Sequence, residues 1–112
     1  MSVTRQNKVG RLIQKELSSV FHLEARSHFP GTMITITVVR ISTDLSVAKI
    51  YLSIFPSEKG IETMALINEH KKHLRFELGN RIRNQVRIIP ELAFFIDDSL
   101  DYAQHIEDLL KK

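Results

Sequence analysis

Between Thr4 and about Arg26, apolar residues recur at Val9, Leu12, Ile13, Leu17, Val20 and Phe21. That i, i+3, i+4 stripe predicts an amphipathic helix. His28-Phe29-Pro30-Gly31 ends it, because proline cannot donate to the helical ladder and Pro-Gly favours a turn. The period then changes. Met33 to Ser42 (MITITVVRIS) and Val47 to Phe55 (VAKIYLSIF) are rich in β-branched residues and alternate in polarity, which predicts two strands. Ser42 to Ser46 can close a tight hairpin, since Ser and Asp side chains bond their own backbone. In the first strand the apolar phase shifts from Ile34 and Ile36 to Val39 and Ile41, so a β-bulge is expected near Thr37-Val38. In the second, Ile50, Leu52 and Ile54 should face the core while Lys49, Tyr51 and Ser53 face outward.

After the loop Pro56 to Gly60, a helical stripe begins at Ile61, Met64 and Ala65, but the positions that would continue it hold Asn68, Lys71 and Lys72. A new stripe starts at Leu74, Leu78 and Ile82, so a break is predicted between Asn68 and His73. From Val86 the pattern reads as extended, with Pro90 near the strand start and Leu92, Phe94 and Ile96 on one face. Asp98 or Ser99 can cap a last helix with Tyr102, Ile106, Leu109 and Leu110 on its apolar side. The predicted order is αββααβα in one domain, residues 1–112, of the α+β class: a three-stranded sheet packed against helices.

Charge sharpens this picture. The chain has 112 residues, 43% hydrophobic and 26% charged, with a net charge of +3. The excess is unevenly distributed: residues 69 to 89 carry six Lys/Arg against two Glu, and residues 90 to 112 carry two against six Asp/Glu. In the first helix, Arg5, Lys8, Arg11 and Lys15 fall within about a third of the circumference at 100° per residue. Two basic blocks around a small sheet, offset by an acidic tail, form the electrostatic footprint of a nucleic-acid binder. With Tyr51, Phe55 and Phe95 the only sheet aromatics available for stacking, and two of these candidates for the core, backbone and shape recognition of structured RNA is expected.

Other chemistry finds little support. The chain has no cysteine, which removes disulfides and thiolate metal sites and fits a reducing, cytoplasmic setting. No apolar run approaches the roughly 18 to 20 residues of a membrane span. The glycines at 10, 31, 60 and 79 make neither GxGxxG nor GxxxxGK[ST], and no GxSxG elbow is present. His70 and His73, with Glu69 and Glu77 nearby, lack the HExxH arrangement and read as exposed helix residues; His22, His28 and His105 read as surface or cap residues. Asp97, Asp98 and Asp101 suit a helix N-terminus. The expectation is a non-enzyme with no metal or cofactor.

The stretches RLIQKELSSV (11 to 20), ISTDLSVAKIYLSIF (41 to 55), LRFELGNRIR (74 to 83) and IIPELAFFIDDS (88 to 99) together resemble the ribosome-binding factor A family, in the right order and over nearly the whole chain. The resemblance implies a type-II KH-like domain and a non-enzymatic assembly factor. Such a factor binds the small ribosomal subunit and its rRNA and assists late 30S maturation and 16S 5′-end processing, particularly in cold growth. It further implies a monomer, with a ribosome-assembly GTPase as a candidate partner. KH domains clamp the nucleic-acid backbone with a GxxG loop; this chain has none, and His70-Lys71-Lys72 stands where the family usually has Ala-x-Gly. Asp44 and Ser42 map to the hairpin, as turn-shaping residues or RNA contacts. The candidate RNA-binding set is Arg5, Lys8, Arg11, Lys15, Lys49, Lys71, Lys72, Arg75 and Arg83. A rival reading is a protein-interaction adaptor using the outward strand face and the terminal helix.

Overall fold

The computed structural model describes the backbone of residues 2–97 and the side chains of residues 5–97. Its elements run α1 (Ser2–His28), β1 (Met33–Ile41), β2 (Val47–Phe55), a 3-10 turn (Ser57–Lys59), α2 (Gly60–Glu69), α3 (Lys71–Ile82) and β3 (Glu91–Ile96). This is the predicted order as far as Asp97; the terminal helix expected after it lies outside the described residues.

Strand β2 is central, antiparallel to β1 and parallel to β3. A parallel neighbour needs a crossover, and α2 and α3 supply it. Because side chains alternate along a strand, Ala48, Ile50, Leu52 and Ile54 of β2 and Leu92 and Phe94 of β3 are buried. They meet Ile13, Leu17, Val20 and Phe21 of α1, Ile67 of α2, and Leu74, Leu78 and Ile82 of α3 in one core. The other sheet face carries Lys49, Tyr51, Ser53 and Phe55. Helix α1 also runs along β1, where Gln6 and Gln14 donate to the carbonyls of Ile41 and Ile36 at 2.8 and 3.1 Å.

The bulge falls where the phase shift predicts it: the β1–β2 register slips between Ile36 and Val38. Thr37, the extra residue, sets its hydroxyl 2.6 Å from a carboxylate oxygen of Asp97 and 3.2 Å from the carbonyl of Tyr51. Its single proton goes to the shorter, charged acceptor, so the bulge is tied to the end of β3.

At the hairpin, one oxygen of Asp44 accepts from the Ser46 hydroxyl (2.7 Å), the Ser42 hydroxyl (2.8 Å) and the Ser46 amide (3.1 Å). Ser42 in turn accepts from the Val47 amide, and Leu45 takes a positive φ of 64°. These donors, with Ser46 first, hold the Asp44 carboxyl at about 2 rather than 3.8. A depressed pKa means that the fold favours the charged form, so Asp44 stabilises above pH 3.8 and loses that contribution as pH falls toward 2. Asp44→Asn is therefore expected to melt below the parent at neutral pH, with the gap closing through that acid window in a pH series of thermal melts.

Three expectations are corrected. Ile61 is 87% exposed and Ala65 is exposed; α2 instead buries Gly60, Thr63 and Ile67. Rotating the helix by one position places Ile67 in the core with no exposure, at the cost of leaving Ile61 in solvent. Strand β3 starts at Glu91, not near Val86: Arg75 donates to the carbonyls of Ile89 (2.6 Å) and Pro90 (3.0 Å), and the ladder opens with the Glu91 amide on Ser46. Ile96 keeps the face shared with Leu92 and Phe94, its side chain reaching Gly60 of α2, and is 41% exposed at the last rung of β3. No sheet aromatic of the stacking set enters the core: Tyr51 is half-buried and Phe55 and Phe95 are exposed.

Candidate RNA interface

The predicted break occurs at one residue. His70 closes α2 through its amide on the Leu66 carbonyl (3.0 Å) and opens α3 by accepting from the Leu74 amide (2.9 Å). No side chain caps α3, and its first turn holds Lys71, Lys72 and His73 with no acidic residue. The first amides of a helix are unpaired and its N-terminus carries about half a positive charge, so lysines there add to a positive end instead of compensating it. A phosphate resolves that accumulation.

Beyond this end, the outer face of α3 and the loop before β3 form a shallow groove of about 530 Å³ lined by Lys72, Arg75, Phe76, Gly79, Asn80, Arg83, Ile88 and Ile89. The groove is basic with an apolar floor, since Phe76 and Ile88 are 63% and 60% exposed. Ile88 also borders a second recess, where Arg5 of α1 and Arg87 meet the hairpin residues Asp44 and Leu45. A basic track thus leads from the α2–α3 joint along α3 to the start of α1.

The candidate residues divide by position. Lys72, Arg75 and Arg83 share the groove, with Lys71 at its head in the same helical turn. Arg5 reaches the adjoining recess. Lys8, Arg11 and Lys15 are exposed along α1. Lys49 lies on the opposite sheet face, directly across from Arg40 of β1, and so stands apart from the groove. Arg75 also supports the fold, because its guanidinium fork holds the Ile89 and Pro90 carbonyls. Arg81 is committed elsewhere, bonded to Glu16 of α1 at 3.3 Å. Arg75→Ala should cost about 1.5–3 kcal/mol, the range for hydrogen bonds involving a charged group. Arg75→Lys should recover little of it in thermal melts, because an ammonium lacks the fork. Arg87 joins the track through loop packing; its charge is evident in the sequence, but its neighbours are not.

A second cluster lies at the same joint. Glu24 of α1 bonds His28 Nε2 (2.9 Å) through one carboxylate oxygen and His73 Nε2 (3.0 Å) through the other. The His28 and His70 rings stand 4.3 Å apart. His28 is therefore more than a helix-end residue.

Among the described residues, no helix is long and apolar enough to cross a membrane. The family model described as Ribosome-binding factor A matches residues 5–110. A ribosome-binding factor A of Cytophaga hutchinsonii is 53% identical over 112 residues, which is all of this chain and 84% of that protein. A crystal structure of ribosome-binding factor A from Thermus thermophilus superposes with a TM-score of 0.65 at 24% identity, over 81% of this chain and 94% of the other. A Thermus thermophilus homology model fitted into a cryo-electron microscopy map of a 30S complex gives 0.60 at 26% identity, over 78% and 89%. The αββααβ order is thus the KH-like fold that these relatives share, and the chain belongs to the ribosome-binding factor A family.

Proposed function

We propose that this protein is a ribosome-binding factor that docks on the small ribosomal subunit through rRNA phosphates and has no catalytic step. The carrying observation is the uncompensated positive start of α3, with Lys71 and Lys72 in its first turn and Arg83 farther along the same groove. Its relative in the 30S complex supplies the partner. Within this reading the protein acts as a cytoplasmic monomer of one domain in late 30S maturation and 16S 5′-end processing, including during cold growth, with an assembly GTPase as a further partner. The family resemblance supports these finer roles.

Titrating binding to purified small subunits against salt tests the docking mode. Each phosphate contact contributes about 0.7 to 0.9 to the log–log slope, so Lys71, Lys72 and Arg83 together with Arg5 predict a slope of roughly −3. Salt-insensitive binding would instead favour the open sheet face. There Met33 and Phe55 are 66% and 71% exposed and the Tyr51 and Phe95 rings stack at 5.4 Å, features suited to a protein partner.

A further inference from the structure

We propose that Glu24, His28 and His73 form a zinc site that staples the end of α1 to the α2–α3 joint. Glu24 and His28 are an i, i+4 pair on one helical face, and His73 arrives from the first turn of α3. Their ligand atoms all lie within 4.8 Å of one another. The side chains are 18%, 34% and 45% exposed, so the carboxylate is mostly shielded while the imidazoles open to solvent. Behind them, buried Phe29 packs edge-on against the His28 and His70 rings at 6.2 and 6.1 Å.

The donor set fits the ion. Two neutral imidazoles and one carboxylate leave one negative charge facing a dication, and zinc favours N and O ligands at about 2.0 to 2.2 Å. A tetrahedron of that size needs ligand atoms roughly 3.3 Å apart. The two nitrogen–oxygen separations, 2.9 and 3.0 Å, are already near it, and the widest closes by rotation of the exposed imidazoles. Zinc replaces the two contacts between Nε2 and the carboxylate; each imidazole ligates through Nε2 and stays neutral with its one proton on Nδ1, any second proton leaving to solvent, and water fills the solvent-facing fourth position. The consequence is mechanical. The bound ion fixes the one-residue joint at His70, and with it the direction in which Lys71 and Lys72 point.

The test uses the full chain, untagged and stripped with chelator, titrated with zinc chloride by calorimetry and with cobalt chloride by visible absorption. One equivalent of zinc should bind saturably, cobalt should give the intense absorption of a tetrahedral site, and the melting temperature should climb with zinc concentration. Glu24→Gln and His73→Ala should each weaken zinc by at least about 100-fold, more than loss of a merely supporting partner. His22→Ala, an exposed histidine on the same helix, should leave binding unchanged. Melts without metal check that each variant is folded. Absence of saturable binding in the parent overturns the proposal, as does binding that survives both Glu24→Gln and His73→Ala.

Discussion

Reversing Lys71, Lys72 and Arg83 together to glutamate should weaken binding to small ribosomal subunits by at least about a hundredfold near 0.1 M salt. Each lost phosphate contact removes about 0.7 to 0.9 of a decade for every tenfold drop below 1 M salt, so three account for two decades or more before repulsion is added. The melting temperature should stay close to the parent's. Lys72 and Arg83 are exposed, and the acids gained at positions 71 and 72 favour the N-terminal end of α3, which offsets the less favourable acid at position 83, its C-cap. Arg75 is left out deliberately, since its hold on Ile89 and Pro90 would mix a folding defect into the binding result. Equilibrium binding at several salt concentrations, with melts on the same samples, is the measurement. Binding within a few fold of the parent would exclude the groove as the contact surface. A shallower salt slope, by roughly the three contacts removed, would identify the lost interactions as phosphate contacts.

The largest stability effect is expected at Leu78. It has no solvent exposure and sits on the buried side of α3, between Leu74 and Ile82, in the core shared with Ile13 and Leu17 of α1. Leu→Ala at such a site loses both the transfer free energy and the contacts around the cavity left behind, about 2–5 kcal/mol. At this chain length that is a fall in Tm of roughly 10–20 °C. Ile61→Ala is the contrasting variant. Although larger by volume than many core side chains, Ile61 is 87% exposed, so its truncation should change stability by less than about 0.5 kcal/mol. Comparable losses at the two positions would mean that α2 buries its Ile61 side after all.

That contrast shows what the sequence carries and what it does not. Features written in local periodicity are legible: the α1 stripe, the phase shift at Thr37, the alternation of Ile50, Leu52 and Ile54, and the interruption at His70. Helix α2 is too short to choose its own face. Its ten residues support a stripe through Ile61 or one through Thr63 and Ile67, and only the sheet beneath decides between them. The late start of β3 depends on Arg75 reaching carbonyls 14 and 15 positions away. The site divides in the same manner. Basic character at Lys71, Lys72 and Arg83 is a local property that charge counting finds. The separation of Lys49 from the groove and the pairing of Arg81 with Glu16 are consequences of the fold. The Glu24–His73 contact spans 49 positions, so inspecting histidine spacing could not find it.

The central position of β2 has a consequence for how the chain is made. Its antiparallel seam with β1 closes across the short hairpin, so these two strands can zip together as soon as both leave the ribosome. The seam with β3 joins partners 44 positions apart, as Val47 and Glu91 are. Until Glu91 to Ile96 have been synthesised, one whole edge of β2 is left with unpaired amides and carbonyls, open to strands of other nascent chains. Both intervening helices must fold back before that edge closes, and such long-range closure is slow compared with hairpin formation. Vectorial synthesis therefore leaves the molecule most vulnerable to association just before its last strand emerges, and docking of β3 is the step that ends this exposure.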